Sequence, residues 1–247
     1  MNKQPIAIIM AAGMSRRMRP VTSTPKALLP IAGKPLIVHQ LESLWAAGVS
    51  ETAIITGYKE GEIYSCLSNY PLKCAVQFIS NPEYETKNNL YSLSLAGEHL
   101  SSPFMIVNCD LIFDYRLIER ILGLGRSGIA YQGKSCGLEE MKVTISGEKV
   151  TKIGKEISPE KAQGEAVGVT FFKDKLPLFI DRLNELSADS SYSNAFYEAS
   201  FDRYLEQGEM FAADSSDLPV MEIDTPEDYD VAIKEIAPRL MLKESTQ

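Results

Sequence analysis

The 247-residue sequence has no apolar run of the roughly 20 residues that a membrane-spanning helix needs. Histidine is scarce too, with two residues, and the four cysteines show neither C-x-x-C nor histidine-paired spacing. A disulfide framework and a cysteine–histidine metal site are therefore not expected, and we predict reduced thiols in a cytoplasmic protein. With a formal net charge of −8, the chain also lacks the broad basic surface of a general nucleic-acid binder.

What is present is the composition of an ordinary globular protein, with 45% hydrophobic and 23% charged residues. Short apolar runs alternate with segments of helical spacing, and neither low-complexity linkers nor solenoid repeats interrupt them. This rhythm predicts an α/β fold with a mixed, mostly parallel central sheet covered by helices on both faces. We expect a single domain over residues 1–247.

The first apolar run, Ile6–Met10, is too short for a helix and predicts a buried strand. It continues into three small residues, Ala11, Ala12 and Gly13. Small residues at the carboxyl end of a buried strand leave backbone N–H groups accessible to a ligand. Four basic residues follow: Arg16, Arg17, Arg19 and Lys26. In an acidic chain this local reversal of charge indicates an anionic ligand that carries phosphate.

Two strings, Ala11–Arg17 and Pro25–Leu36, resemble the signature of nucleotidyltransferases that join a nucleoside triphosphate to a phosphorylated small molecule and release pyrophosphate. Neither the dinucleotide-binding G-x-G-x-x-G nor the P-loop G-x-x-x-x-G-K-[ST] fits. The resemblance implies a three-layer α/β/α Rossmann-like fold, with a nucleotide-binding half over about 1–125 and an acceptor-binding half over about 126–235. It further implies that Lys26 stabilises charge on the α-phosphoryl oxygens, and that Arg17 and the backbone around Gly13 hold the leaving pyrophosphate.

Paired asparagines precede a predicted helix in the string Asn88-Asn89-Leu90-Tyr91-Ser92-Leu93. Either asparagine could simply cap that helix. The string is also similar to the N-N-x-Y-S-L string of bacterial choline-phosphate cytidylyltransferases, where this loop lies beside the base and ribose. The resemblance therefore implies that Asn88 and Ser92 bind the nucleotide.

Two aspartates follow predicted buried strands. Asp110 comes directly after the run Phe104–Val107, at the ligand-binding edge of a parallel sheet, where it is either a turn residue or a Mg²⁺ ligand. Asp224 could cap the last helix, but the string Glu222–Asp228 also resembles the C-terminal motif of the superfamily, whose aspartate is the second metal ligand. The resemblance thus implies Mg²⁺ held by Asp110 and Asp224.

From Gly128 to Phe172 the pattern changes to short β-like pieces between turns, which predicts an antiparallel or mixed extension of the sheet. Within it, Gly164–Val169 falls where relatives contact the second substrate. A predicted helix over Ala195–Gln207 carries aromatic residues that either pack in the core or, with neighbouring acids, meet a cationic headgroup. The candidate acceptor contacts are Glu165, Tyr192, Tyr197, Glu198 and Glu222.

The resemblance, which runs from Ile6 to about Ile233, favours a transferase that joins CTP to a small phosphorylated amino-alcohol, with phosphocholine first. Because Asp110–Asp114 and Gly164–Gly168 look like segments of phosphonate-specific relatives, 2-aminoethylphosphonate is an alternative acceptor. A sugar-1-phosphate with UTP or dTTP, and a catalytically silent nucleotide-binding regulatory protein, also stay open. Retention of both metal carboxylates argues against the regulatory protein, which would not need them. The chain is also a candidate homodimer.

Overall fold

The computed structural model describes residues 4–18 and 22–241, so Arg19 lies outside the described residues. The strands are β1 (Ile6–Ala11), β2 (Pro30–Ile31), β3 (Lys34–Pro35), β4 (Glu51–Thr56), β5 (Ala75–Ser80), β6 (Phe104–Asn108), β7 (Leu111–Ile112), β8 (Gly128–Gln132), β9 (Lys142–Ser146), β10 (Lys149–Gly154), β11 (Gly164–Phe172), β12 (Phe211–Asp214) and β13 (Met221–Glu222). The α-helices are α1 (Leu36–Ala46), α2 (Glu60–Ser68), α3 (Asn89–Ser94), α4 (Tyr115–Gly123), α5 (Leu176–Ala188), α6 (Phe201–Gln207) and α7 (Pro226–Val231).

The main sheet has nine strands in the order β5-β4-β1-β6-β11-β8-β12-β10-β9. The first four strands are parallel, as are β8 and β12, whereas the other neighbouring strands pair antiparallel. The predicted mixed sheet and its mixed extension over the second half are confirmed. Parallel pairing dominates only the first half of the described sheet, because β11 enters beside β6 in the opposite direction.

Helices cover both faces of the sheet, and β1 shows why. Its alternate residues Ile6 and Ile8 join an apolar cluster with residues of α3, α5 and α6. The residues between them, Ala7 and Ile9, join a second cluster with α1, α2 and α4. A strand buried on both faces reads as a continuous apolar run, which is the pattern seen in the sequence. The three-layer α/β/α fold is therefore confirmed.

A third and smaller apolar cluster packs against the segment between β1 and α1, residues 12–35, which carries most of the two signature strings and is called the signature loop below. It is formed by residues from the loop, the β7 strand and the C-terminal helical region: Met18, Leu29, Ile31, Leu36, Ile112, Ile223, Ala232 and Ile236. This packing brings the beginning, middle and end of the chain to one place. The predicted motifs therefore meet although they are far apart in the sequence.

The single helix predicted over Ala195–Gln207 is wrong in its first half. A 3₁₀ helix over Tyr197–Ser200 precedes α6, which begins only at Phe201. The carbonyls of Ser193 and Ala195 accept hydrogen bonds from backbone N–H groups at the start of α3. These carbonyls are therefore hydrogen-bonded to another segment and not to N–H groups of a helix that contains them. A regular helix begins only after this contact.

The described residues include no helix with the length and apolar character needed to cross a bilayer. All four cysteines carry free thiols.

Candidate active site

A cleft of about 860 Å³ opens at the carboxyl ends of β1 and β6. Its lining includes most of the predicted site residues: Ala12, Gly13, Arg17, Lys26, Asn88, Ser92, Asp110, Glu165, Glu198, Glu222 and Asp224. Three others do not line it: Ala11, Tyr192 and Tyr197. The topology therefore gathers residues from both halves of the chain at the edge where open α/β sheets bind ligands.

At the centre of the cleft, Lys26 contacts both predicted metal carboxylates. Its ammonium Nζ lies 3.0 Å from Asp110 Oδ2 and 2.6 Å from Asp224 Oδ1. Arg17 Nη2 lies 3.0 Å from the other oxygen of Asp224, Oδ2. The lysine side chain is only 9% exposed, whereas that of Arg17 is 70% exposed. Four residues predicted to act together therefore form one ion-pair network with Lys26 at its buried end.

A short two-stranded ribbon holds the two carboxylates side by side. β7 and β13 pair antiparallel, with Leu111 opposite Glu222. Beyond that pair, the backbone N–H of Ile223 donates to the carbonyl of Asp110 over 2.9 Å. Because Asp224 is the next residue, the backbones of the two aspartates are fixed relative to each other by main-chain hydrogen bonds.

The start of α7 fixes Asp224 from the other side. Thr225 caps this helix in a capping box, in which Asp228 Oδ2 accepts from the Thr225 N–H over 2.8 Å. The same carboxylate oxygen accepts from the backbone N–H of Asp224 over 3.0 Å. The cap predicted as the alternative role of Asp224 thus belongs to Thr225, and the side chain of Asp224 is directed to Lys26 and Arg17.

The network controls the charge of its members. Burial by itself lowers the pKa of Lys26, but the carboxylates of Asp110 and Asp224 outweigh it and hold that pKa above its ordinary value. Burial likewise raises the pKa of Asp224, and the cations Lys26 and Arg17 outweigh it, so this pKa stays below its ordinary value. The lysine is therefore cationic and Asp224 anionic at neutral pH.

The carboxylate pair fits a divalent cation that substrate phosphates would help to bind. Asp110 Oδ1 is buried and has no hydrogen-bond partner, so one hard oxygen donor is free. Among the residues the structure describes, no group of three or more histidine, cysteine, aspartate or glutamate side chains could hold a metal by itself. Mg²⁺ sites commonly use one or two carboxylates plus phosphate oxygens, so two aspartates are sufficient.

The signature loop presents its backbone to the cleft. A Cβ atom placed on Gly13 would meet no atom within 4 Å, so this position faces open space. Ser15 follows in the left-handed region with φ of 48°, and its hydroxyl Oγ accepts from the Lys26 N–H over 3.1 Å. Ala11, the last residue of β1, is buried behind the loop. The loop conformation thereby connects the segment after Gly13 to Lys26.

The asparagine string forms another wall of the cleft. Asn88 caps α3, since its Oδ1 accepts from the Asn89 N–H over 2.8 Å, and its Nδ2 donates to the carbonyl of Asn194. Ser92 is nearly buried, and its hydroxyl accepts from Asn81 Nδ2 over 2.9 Å. Both predicted nucleotide contacts lie on the cleft while already making structural hydrogen bonds, so their role toward a nucleotide stays a prediction.

The three carboxylates predicted to contact the acceptor all line the cleft: Glu165, Glu198 and Glu222. Burial raises the pKa of Glu198 to about 7, and its Oε2 is buried without a partner. Burial, and then the neighbouring charges of Asp110 and Glu165, raise the pKa of Glu222 well above its ordinary value. Carboxylates held in unfavourable surroundings would gain from a bound cation.

The two tyrosines predicted beside these acids are placed differently. Tyr192 is 37% exposed and lies outside the cleft lining. Tyr197 is buried, where it packs against Phe201, and its hydroxyl donates to Asn108 Oδ1 over 3.1 Å. It thus supports the wall from behind, as the core-packing alternative for this segment predicts.

Sequence reasoning missed several residues of the cleft. Lys134 forms an ion pair with Glu165, and Lys155 lies 5.2 Å from the centre of the Phe196 ring. Lys142 does not line the cleft; it is fully buried and donates to three carbonyls of the loop over residues 137–140, which carries the lining residues Glu139 and Glu140. No short motif surrounds these lysines, so only the antiparallel pairing of the second half of the sheet could have placed them.

Comparison with known proteins agrees with this geometry. Residues 7–135 match the family model described as the MobA-like NTP transferase domain. The chain is 28% identical to the choline-phosphate cytidylyltransferase of Streptococcus pneumoniae over 228 residues, which cover 90% of this chain and 94% of that protein. It is 30% identical to the CMP-5'-(3-aminopropyl)phosphonate synthase of Streptomyces rubellomurinus over 116 residues, 47% of this chain and 18% of that protein.

The fold also matches a solved structure. The CTP:phosphocholine cytidylyltransferase from Streptococcus pneumoniae superimposes with a TM-score of 0.74 at 26% identity, covering 92% of this chain and 97% of that chain. The resemblance seen in the sequence strings is therefore confirmed.

Proposed function

The chain belongs to the MobA-like NTP transferase family and is a nucleotidyltransferase, and on this premise we propose that it joins CTP to phosphocholine in a Mg²⁺-dependent reaction that releases pyrophosphate. The observation that carries the proposal is the contact of Lys26 with both Asp110 and Asp224 at the centre of the cleft. Nucleotidyltransferases of this kind generally use a divalent metal ion, and the choice of Mg²⁺ is part of the proposal.

The reaction brings two polyanions together, so charge neutralisation and in-line placement are the main catalytic needs. A divalent cation bound by Asp110 and Asp224 would supply positive charge to the phosphates of both substrates. Lys26 would stabilise the negative charge that develops on the α-phosphoryl oxygens. Arg17 and the N–H groups around Gly13 would hold the departing pyrophosphate.

No general base is required, because the acceptor phosphate is already ionised at neutral pH. The cleft agrees with this, since neither His39 nor His99 lines it. The side chains of the site therefore need to bind and orient the two substrates, and the attacking oxygen needs no proton removed.

The acceptor end of the cleft supports a cationic headgroup. Glu165, Glu198 and Glu222 line the cleft there, and a nearby cation would favour the ionised form of Glu198 and Glu222, whose pKa values are raised in its absence. Phe196, which is 41% exposed, lies on the same lining. An aromatic face and carboxylates together suit a quaternary ammonium group. We propose that the nucleotide binds the half over about 1–125 and the acceptor the half over about 126–235.

A second acceptor, 2-aminoethylphosphonate, is favoured by one specific observation. The partnerless Oε2 of Glu198 could accept a hydrogen bond from a primary ammonium group, which a trimethylammonium group cannot donate. The similarity to a phosphonate-handling synthase points the same way. The two acceptors differ in their headgroups and share the transfer chemistry.

Pyrophosphate release tests the proposal directly. The purified chain is incubated with Mg²⁺ and each of four nucleoside triphosphates against phosphocholine, 2-aminoethylphosphonate, glucose-1-phosphate and inositol phosphate. Signal confined to CTP with a cationic acceptor supports the proposal and identifies the acceptor. Signal with UTP or dTTP and a sugar phosphate would keep the mechanism and reject the substrate class.

Two substitutions test the residue roles. Lys26→Ala and Asp110→Ala should both abolish turnover while the protein stays folded, the latter at every Mg²⁺ concentration. Lys34→Ala is the matched control, because this lysine pairs with Glu42 outside the cleft. Near-normal rates in either cleft variant would reject the assigned roles.

We also propose that the chain acts in the cytoplasm, where its free thiols would stay reduced. The homodimer stays a prediction, which light scattering on the purified protein tests.

A further inference from the structure

A buried glutamine on α1 holds the turn that carries Asp110. Gln40 is 0% exposed, and its amide Nε2 donates to the carbonyl of Asn108 over 2.8 Å and to that of Leu111 over 2.7 Å. The two carbonyls stand on either side of Cys109 and Asp110, where β6 ends and β7 begins. One side chain therefore bridges both ends of the two-residue turn.

The orientation of this amide follows from its partners. Both partners are carbonyl oxygens, which can only accept, so the NH₂ group must face them. The other amide atom, Oε1 of Gln40, is buried without a hydrogen-bond partner. An apolar side chain of the same length would fill this space without an unsatisfied oxygen. Packing alone therefore does not explain the glutamine, whereas the two turn carbonyls do.

Among the described residues, the other hydrogen bonds of Asp110 come from the segment of β13 and from Lys26. On its outer side, Asp110 contacts the Ile223 N–H through its carbonyl and Lys26 through Oδ2. On the side of α1, Gln40 holds the turn itself, and Ser43 Oγ, one helical turn further, donates to the carbonyl of Phe113 over 3.2 Å. The Ser43 contact lies beyond β7, so Gln40 alone of these two reaches the residues that flank Asp110.

We propose that Gln40 is a positioning residue, which fixes the Asp110 turn so that the carboxylate is preorganised to bind a divalent cation. The inference rests on the proposed role of Asp110 as a metal ligand. Residues that orient metal ligands typically change metal affinity by about 10–100-fold when they are replaced. Loss of the two amide donors should remove one hydrogen bond from each carbonyl and make the turn more mobile. The predicted nucleotide contacts on the signature loop and on α3 should keep their positions.

Gln40→Met tests the proposal, because it keeps the length of the side chain and removes the donors. Leu44→Met is the matched control, since Leu44 is equally buried on the same helix, where it packs in the apolar cluster on that face of the sheet. Gln40→Asn keeps the amide but is one methylene shorter, so its result should lie between those of the wild type and Gln40→Met. It serves as the test if the methionine variant folds poorly. Two properties are measured: the Mg²⁺ concentration that half-saturates CTP binding by calorimetry, and the amide hydrogen exchange of residues 108–112 without metal.

We expect Gln40→Met to raise the half-saturating Mg²⁺ concentration about tenfold and to speed exchange in residues 108–112, with metal-free CTP affinity unchanged. Leu44→Met should change neither. The proposal would be overturned if residues 108–112 of Gln40→Met exchanged their amide hydrogens at the wild-type rate. It would also be overturned if the loss of protection were spread evenly along α1. If wild-type CTP binding shows no Mg²⁺ dependence, the metal role of Asp110 fails, and the exchange result still decides whether Gln40 holds the turn.

Discussion

Replacing Lys26 by methionine should separate its structural effect from its catalytic effect. In the cation-free protein the lysine neutralises two carboxylates at 3.0 and 2.6 Å, and its own side chain is 9% exposed. The methionine fills similar space and leaves Asp110 and Asp224 facing each other without the shared ammonium group. The variant should therefore be less stable than the wild type without metal, and it should not turn over.

The size of the loss can be estimated from the burial of the partners. Removing one member of a buried ion pair destabilises a protein by roughly 3–5 kcal/mol. Because the carboxylates are about a quarter exposed, at 25% and 29%, the lower end applies and we expect about 3 kcal/mol. In a chain of this size 1 kcal/mol shifts the melting temperature by roughly 2–4 °C, so the shift should be roughly 6–12 °C.

Mg²⁺ should then stabilise the variant more than the wild type. In the wild type a cation finds, in this carboxylate pair, only Asp110 Oδ1 without a partner among the described residues, and it competes with Lys26 for Asp110 Oδ2 and Asp224 Oδ1. In Lys26→Met those two oxygens lose their lysine partner and the carboxylates repel each other. Thermal unfolding of both proteins across a Mg²⁺ series, beside the pyrophosphate assay, measures the difference, with Lys34→Met as the control. Equal Mg²⁺-induced shifts in wild type and variant, or measurable turnover by Lys26→Met, would refute this reasoning.

Two further predictions concern stability. The pKa of Glu198 rises from 4.5 to about 7 on folding, so the folded state favours the protonated carboxyl. As pH rises through that window the carboxyl ionises, and the free energy of unfolding should fall by up to about 3 kcal/mol. Urea unfolding at pH 5 and pH 8 should show this fall in the wild type and in the exposed control Glu206→Gln. The fall should be smaller in Glu198→Gln, where Glu222 still contributes; parallel profiles in all three would contradict the prediction. Gly168→Ala should destabilise more than Gly147→Ala, since both have left-handed φ, of 68° and 62°, but only the former places a Cβ 2.7 Å from Asn108 Nδ2. The left-handed strain alone is worth roughly 1–2 kcal/mol, and equal unfolding free energies for the two variants would count against the steric argument.

The sequence was most informative where neighbouring residues carry the signal. The run Ile6–Met10 predicts a buried strand, and β1 spans Ile6–Ala11 with every residue buried, because a continuous apolar run is a local signal. The short strings around Lys26, Asp110 and Asp224 identified residues that the fold brings into contact. Their roles toward nucleotide and metal stay predictions.

Contacts between distant segments account for what the sequence did not indicate. The segment before Tyr197 has a helical pattern, yet its carbonyls are engaged by α3, and no local feature reveals that competition. Gln40 has the pattern of an ordinary helix residue, and its partners lie about seventy positions further along the chain. Tyr192 shares the spacing of the core aromatics and is nevertheless exposed. Contacts between segments that are far apart in the chain, rather than residue spacing, decide these cases.

The β7–β13 ribbon also determines when during synthesis the site can form. Asp110 and β7 are synthesised well before the strand that pairs with β7, Met221–Glu222, which follows β12 in the chain. Domains form from the N-terminus onward during translation, so the sheet and the signature loop can be in place while Asp224 is still missing. A nascent or truncated chain that ends before residue 221 can therefore hold the signature loop and Asp110, but it lacks Asp224. Synthesis of the segment that contains β13 and Asp224 is the step that completes the carboxylate pair.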